Sequence, residues 1–177
     1  MKIDASVTTE NLKKRYNDES DPVVKRNFRI VLDHIEAELN GDLEAILATL
    51  VLEPIYHVYN ITGADGVTHT QVSKGREQTR EMYVNALKAK SPQLQRYTMT
   101  FIVADAGGLF TDGVLQVPWA GEALRALGND ADPKASYLYE GRLCNLWPVN
   151  RDGLLLGEDI YFDPAGFRTI LERKIEL

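Results

Sequence analysis

Four long strand-like stretches fill the second half of the chain and constrain its fold more than any other feature. Residues 94–104, 109–119, 136–147 and 153–162 read as strands of about ten positions each, longer than the usual five or six. The first two are joined by Asp105-Ala106-Gly107-Gly108 and the last two by Asn150-Arg151-Asp152-Gly153. Both linkers carry the turn chemistry of antiparallel hairpins. Long antiparallel strands bend and wrap, so a curved sheet is expected.

Helices come before the strands. Asp21-Pro22 supplies a capping side chain followed by proline at the first helical position, and Val24, Phe28, Val31, Leu32, Ile35 and Leu39 then recur every three or four residues. Gly41 stops that helix and Asp42 caps a shorter one with Leu43, Ile46, Leu47 and Leu50 inward. Pro54 ends it, residues 55–61 read as a strand, and residues 63–66 form a turn. A third helix is expected over 75–90 with Met82, Tyr83, Ala86 and Leu87 inward, and Asp163-Pro164 caps a last short one. Helices followed by a strand meander give an α+β arrangement, with the helices on one face of the sheet. Residues 1–20 are polar and read as a tail; residues 21–177 read as one domain.

Composition removes several function classes. Twenty Lys and Arg against 26 Asp and Glu leave a net charge of −6, which disfavours nucleic acid. No apolar run reaches the roughly 18 residues of a membrane span, and the polar N-terminus shows no secretory signal, so a cytoplasmic protein is expected. One cysteine and three scattered histidines argue against a disulfide or a transition-metal site. Nucleotide-binding glycine loops, nucleophile elbows and zinc-protease motifs are absent.

The order of elements resembles the SnoaL-like branch of the nuclear transport factor 2-like superfamily. The resemblance spans residues 23–170 and rests on three features. A strand follows the helix pair and carries His57; Gly75 opens the third helix; and the chain closes on Gly153, Gly157-Glu158 and Tyr161-Phe162-Asp163. It implies a cone in which N-terminal helices pack on a strongly curved, mixed or antiparallel sheet around an apolar pocket. It also implies a small apolar ligand, no cofactor, and a homodimer through the sheet face.

Strand alternation and alignment with such relatives give a first set of pocket residues. Tyr56, Val58 and Asn60 face inward on the first strand, and Phe110, Asp112, Val114 and Gln116 on the second long strand. Ketosteroid isomerases carry their general base near Val58, which cannot accept a proton. Limonene epoxide hydrolases need an arginine and two aspartates near Val114, Gln116 and Ile160, and none is present. Asp112 is then a candidate general base or acid, its pKa raised by burial; alternatively Asp112-Gly113 is a bulge or turn with its carboxylate in water. Glu158 is a second candidate that pairs with Asp112 if both face inward, or else holds a neighbouring strand or a helix terminus. His57 is a third, although alternation sets it opposite Tyr56. His34, on the first long helix, falls beside Val31 and Ile35 and could look down into the cone, and His69 sits in a polar turn.

Tyrosines supply neutral donors for polarising a carbonyl, with Tyr56 and Tyr83 first and Tyr139 third. Phe110, Val58, Val114, Ile160 and Trp119 complete the expected apolar wall. Residues 120–135 form either a lid or a disordered loop. Two functions stay open: cofactor-free acid/base cyclisation, isomerisation or dehydration of a carbonyl compound, and a non-catalytic binding or dimerisation module. An enzyme would hold an acid or histidine inside the cavity; a binder would keep its ionisable groups at the rim.

Overall fold

In a computed structural model that describes residues 3–176, the chain folds as three N-terminal helices, a mixed sheet and short C-terminal elements. The helices are α1 (Val7–Asp18), α2 (Pro22–Asn40) and α3 (Leu43–Ala48). Then come β1 (Leu50–Thr62), β2 (Thr68–Lys74), α4 (Gly75–Lys88), β3 (Arg96–Asp105) and β4 (Gly108–Ala120). The chain closes with α5 (Gly121–Ala126), β5 (Ser136–Pro148), β6 (Leu155–Phe162), α6 (Pro164–Arg168), a 3₁₀ turn at Ile170–Glu172 and β7 (Lys174–Ile175). The sheet order is β2-β1-β6-β5-β4-β3, with β7 on β5. β1 and β6 run parallel and the other neighbours antiparallel, so the curved sheet is mixed.

The expected caps are in place. Asp21 accepts from the amides of Val23 and Val24, Gly41 takes a left-handed φ of 70°, and the Asp42 and Asp163 side chains cap α3 and α6. Phe28, Val31, Leu32 and Ile35 are buried against Ile46, Leu47, Leu109 and Trp147 in one core.

Three local readings differ. The polar stretch expected to trail as a tail forms α1, which buries Leu12. Its Asn11 and Arg15 side chains donate to the Met99 and Ile102 carbonyls at 2.6 and 2.9 Å, so polar residues cap the outer strand β3. Pro54 lies inside β1, since α3 already ends at Ala48. β2 was not foreseen, because Thr68 to Lys74 is mostly polar and six of its seven residues are exposed.

Two bulges decide which side chains point inward. Pairing of β1 with β2 slips between Val58 and Ile61, where Asn60 takes φ 63°, so Ile61 and not Asn60 joins Tyr56 and Val58 on the inner face. A second slip falls between Met99 and Phe101 opposite Gly113, where a Cβ would stand 2.1 Å from the Thr98 carbonyl oxygen. On β4 the inner residues are Leu115, Val117 and Trp119, one position out of phase with the expected set.

Candidate functional site

The helices and the inner face of the sheet enclose a cavity of about 370 Å³. Leu115, Val117, Leu143, Ile160 and Phe162 form apolar wall, and α2, α4 and β6 bring polar groups to one end. There His34 and Glu38, one turn apart on α2, meet Tyr83 of α4, Tyr56 of β1, Glu158 of β6 and Asn145 of β5.

The ring of His34 is fully buried, and its hydrogen bonds fix its state. Nδ1 lies 2.6 Å from the Thr49 hydroxyl, and that hydroxyl gives its own hydrogen to the Ile46 carbonyl at 2.6 Å. Thr49 is therefore the acceptor and Nδ1 carries a proton. Nε2 is 2.8 Å from the Tyr83 hydroxyl, 3.2 Å from Glu158 Oε1 and 3.8 Å from Glu38 Oε1. Burial alone would lower the ring's pKa, but the Glu158 hydrogen bond and the two carboxylate charges outweigh it and raise the pKa. The imidazolium then donates Nε2–H toward Glu158 and Tyr83.

Each carboxylate is anchored through its second oxygen: Asn145 Nδ2 donates to Glu158 Oε2 at 2.7 Å, and Gln95 Nε2 to Glu38 Oε2 at 2.9 Å. Glu158 is 3 % exposed and Glu38 13 %, so Glu38 is the more open of the two acids that line the cavity. Burial pushes the Glu38 carboxyl up to about 7; the Glu158 charge adds to this and His34 opposes it. Burial also raises the Tyr56 and Tyr83 hydroxyls well above their ordinary value, so both stay neutral donors. Tyr83 stands 3.2 Å from Tyr56 and 3.4 Å from Glu158. Asn145 Oδ1 is buried without a hydrogen-bond partner among the described residues.

Tyr56, Tyr83, Val58, Ile160, Trp119 and Glu158 line the cavity. Asp112 does not: β4 turns it to the outer face, where Arg142 Nε donates to it at 2.8 Å and Nη2 makes a second contact. The guanidinium lowers the Asp112 pKa, opposite to the expected rise. Asp112 and Glu158 thus lie on opposite sides of the sheet and form no pair. His57 is also outside, 2.7 Å from Asp159 and stacked on Tyr59, as alternation from Tyr56 requires. Phe110 and Val114 share Asp112's parity and stay out of the cavity. Tyr139 is buried elsewhere, packed on Phe162 and Phe167 with its hydroxyl held by the Arg142 and Asp163 backbone.

Glu38 and Asn145 escaped the sequence reading. The signals were present: Glu38 follows His34 by one helical turn, and Asn145 interrupts the apolar alternation of Leu143 and Trp147. Residues 120–135 are neither bare loop nor detached, because α5 buries Leu124, and Ala120 and Ala123 reach the cavity wall. Among the described residues, His34, Glu38 and Glu158 are the group that could ligate a metal, with donor atoms within 4.8 Å of one another. Donors about 2.1 Å from a shared ion stand roughly 3.5 Å apart, near the 3.2 and 3.8 Å of His34 Nε2 from the two carboxylates, but the ring would first have to give up its Nε2 proton. No described helix is long and apolar enough to cross a membrane.

No family profile matches the sequence, and no curated protein matches it. Solved structures do share its fold. The epoxide hydrolase/cyclase-like enzyme SalBIII, described for pyran ring formation in the polyether salinomycin, matches 80% of this chain and 94% of its own at 15% identity (TM-score 0.55). An LEH-like epoxide hydrolase of M. tuberculosis matches 86% of this chain and 94% of its own at 18% identity (TM-score 0.58). A candidate SnoaL-like polyketide cyclase of Shewanella denitrificans covers 81% and 95% at 9% identity (TM-score 0.59). At such identities what is shared is the backbone architecture. The chain has the fold of these solved structures, the architecture that its resemblance to SnoaL-like proteins implied.

Proposed function

We propose that this chain takes a small, largely apolar, carbonyl-bearing molecule into the cone and moves a proton next to that carbonyl without a cofactor, as cyclisation, isomerisation or dehydration requires. The observation that carries this reading is Glu38, a carboxyl with a pKa of about 7 opening to an apolar cavity and backed by His34 and Glu158. A general base is most effective when it titrates near the working pH.

The neighbouring groups suit the remaining steps. When Glu38 removes the proton, charge develops on the substrate oxygen. The His34 imidazolium can donate to the Tyr83 hydroxyl, which frees that hydroxyl's hydrogen for the oxygen. Tyr56, neutral and adjacent, is a second donor. Glu158 balances the imidazolium and holds it in place. A binding-only module would need no buried ion pair at the end of its cavity, and that argues for the enzyme.

The test is exchange of the α-protons of 2-tetralone with deuterium oxide, followed by proton NMR. The protein should speed exchange, and Glu38→Gln should remove most of the gain, while Asp112→Asn and His57→Gln leave it unchanged. Absence of acceleration by the wild-type protein would overturn this reading for such ketones.

The outer face of the sheet exposes Phe101, Val103, Val114, Leu146 and Tyr161 around the Asp112–Arg142 and His57–Asp159 pairs. Because those charges are already paired within the chain, a second copy could cover the face without stranding one, which supports a homodimer. Light scattering should give twice the chain mass, and the double variant Val103→Lys, Val114→Lys should give the single mass. A wild-type monomer at high concentration would refute it.

A further inference from the structure

The cavity is charged with one sign only. None of its lining residues is Lys, Arg or His, and its ionisable acids are Glu38 and Glu158. Around them stand six aromatic side chains: Tyr56, Tyr83, Tyr97, Trp119, Trp147 and Phe162. His34, behind the wall, is the one histidine of the cluster, and its Nε2 lies nearer Glu158 than Glu38, at 3.2 against 3.8 Å. One imidazolium cannot balance two carboxylates, so the cluster carries a residual negative charge whenever both are ionised.

That distribution discriminates among ligands. A carboxylate, phosphate or thioester-linked nucleotide would meet like charge and no compensating base. A neutral molecule would fill the apolar volume but leave Glu38 sharing with Glu158 the single cation His34, 3.8 Å away. An organic ammonium meets a carboxylate at one end and aromatic faces along its body, the combination that binds amines in water-poor sites.

We propose that the molecule held in the cone carries a basic nitrogen, protonated when bound, that donates to Glu38. This rests on the acid/base reading of the same cavity and narrows its substrate class to amino-carbonyl compounds.

The experiment compares three probes of one skeleton by calorimetry at pH 7.5: 2-aminotetralin, 2-tetralol and the anion of tetralin-2-carboxylic acid. The amine should bind at least 10-fold tighter than the alcohol, the anion should show no measurable binding, and Glu38→Gln should bring the amine down to the affinity of the alcohol. Gln is isosteric and removes a buried charge, and thermal unfolding of the variant confirms that it folds. Equal affinity for amine and alcohol, or a preference that survives in Glu38→Gln, would overturn the proposal. The exchange of 2-tetralone reports separately on the acid/base reading, because that ketone carries no nitrogen. Exchange without amine preference sinks this inference alone, and amine preference without exchange sinks the acid/base reading alone.

Discussion

His34 Nδ1 and the Thr49 hydroxyl stand 2.6 Å apart, and because Thr49 spends its hydrogen on the Ile46 carbonyl, the pair sets which nitrogen of the ring is always protonated. Nε2 is thereby left to face Tyr83 and the two carboxylates. Replacing Thr49 with Val keeps the shape but removes this acceptor. Thr49→Val should cost about 1–2 kcal/mol, the typical penalty for stranding a buried donor. Nitrogen-15 shifts followed to a pH at which the ring loses its second proton should show the wild-type ring keeping the proton on Nδ1 and the variant ring as a mixture of tautomers.

The His34 and Glu158 charges are both buried, so removing one partner should hurt more than removing both. His34→Leu leaves two carboxylates without their cation and should cost about 3–5 kcal/mol. The double variant His34→Leu, Glu158→Leu should recover a large part of that loss. Urea unfolding of the three proteins measures it, and a double variant less stable than His34→Leu would contradict the pairing.

Glu38 titrates near 4.5 when unperturbed and at about 7 in the folded protein. Between those values the native state holds a proton that the unfolded chain has lost, so stability should fall as pH rises across this window. The drop is bounded at about 3 kcal/mol by the size of the shift. The raised pKa of His34 acts in the same sense higher up: its contribution is full below pH 6.5 and is lost as pH climbs through the folded value. Urea unfolding at pH 5 and pH 7 should show the fall, and Glu38→Gln should flatten it.

Gly157 sets the approach of β6 to β1 next to Glu158. It has φ 122°, and a Cβ there would lie 1.9 Å from the Ile55 carbonyl oxygen. Gly157→Ala should force the parallel strands apart, cost on the order of 3 kcal/mol and displace Glu158 from His34. A Gly157→Ala protein with unchanged stability and an unchanged His34 titration would show that this close approach does not hold the site.

Local chemistry alone determined much of the frame. Asp21-Pro22, Gly41, Asp42 and Asp163-Pro164 act on their own backbone neighbours, so helix starts and stops could be read directly, as could the two hairpins around Gly107-Gly108 and Asp152-Gly153. Which face of each strand turns inward was decided by tertiary structure. On β4 both parities carry apolar residues, Phe110 and Val114 on one side and Leu115 and Val117 on the other, so alternation stated a period without a direction. The bulge at Asn60 further resets the phase within β1. The charged end of the cavity depends on the same fact at longer range. His34, Glu38, Asn145 and Glu158 become one cluster only where α2 crosses strands more than a hundred residues later in the chain, and no spacing along the sequence encodes that crossing.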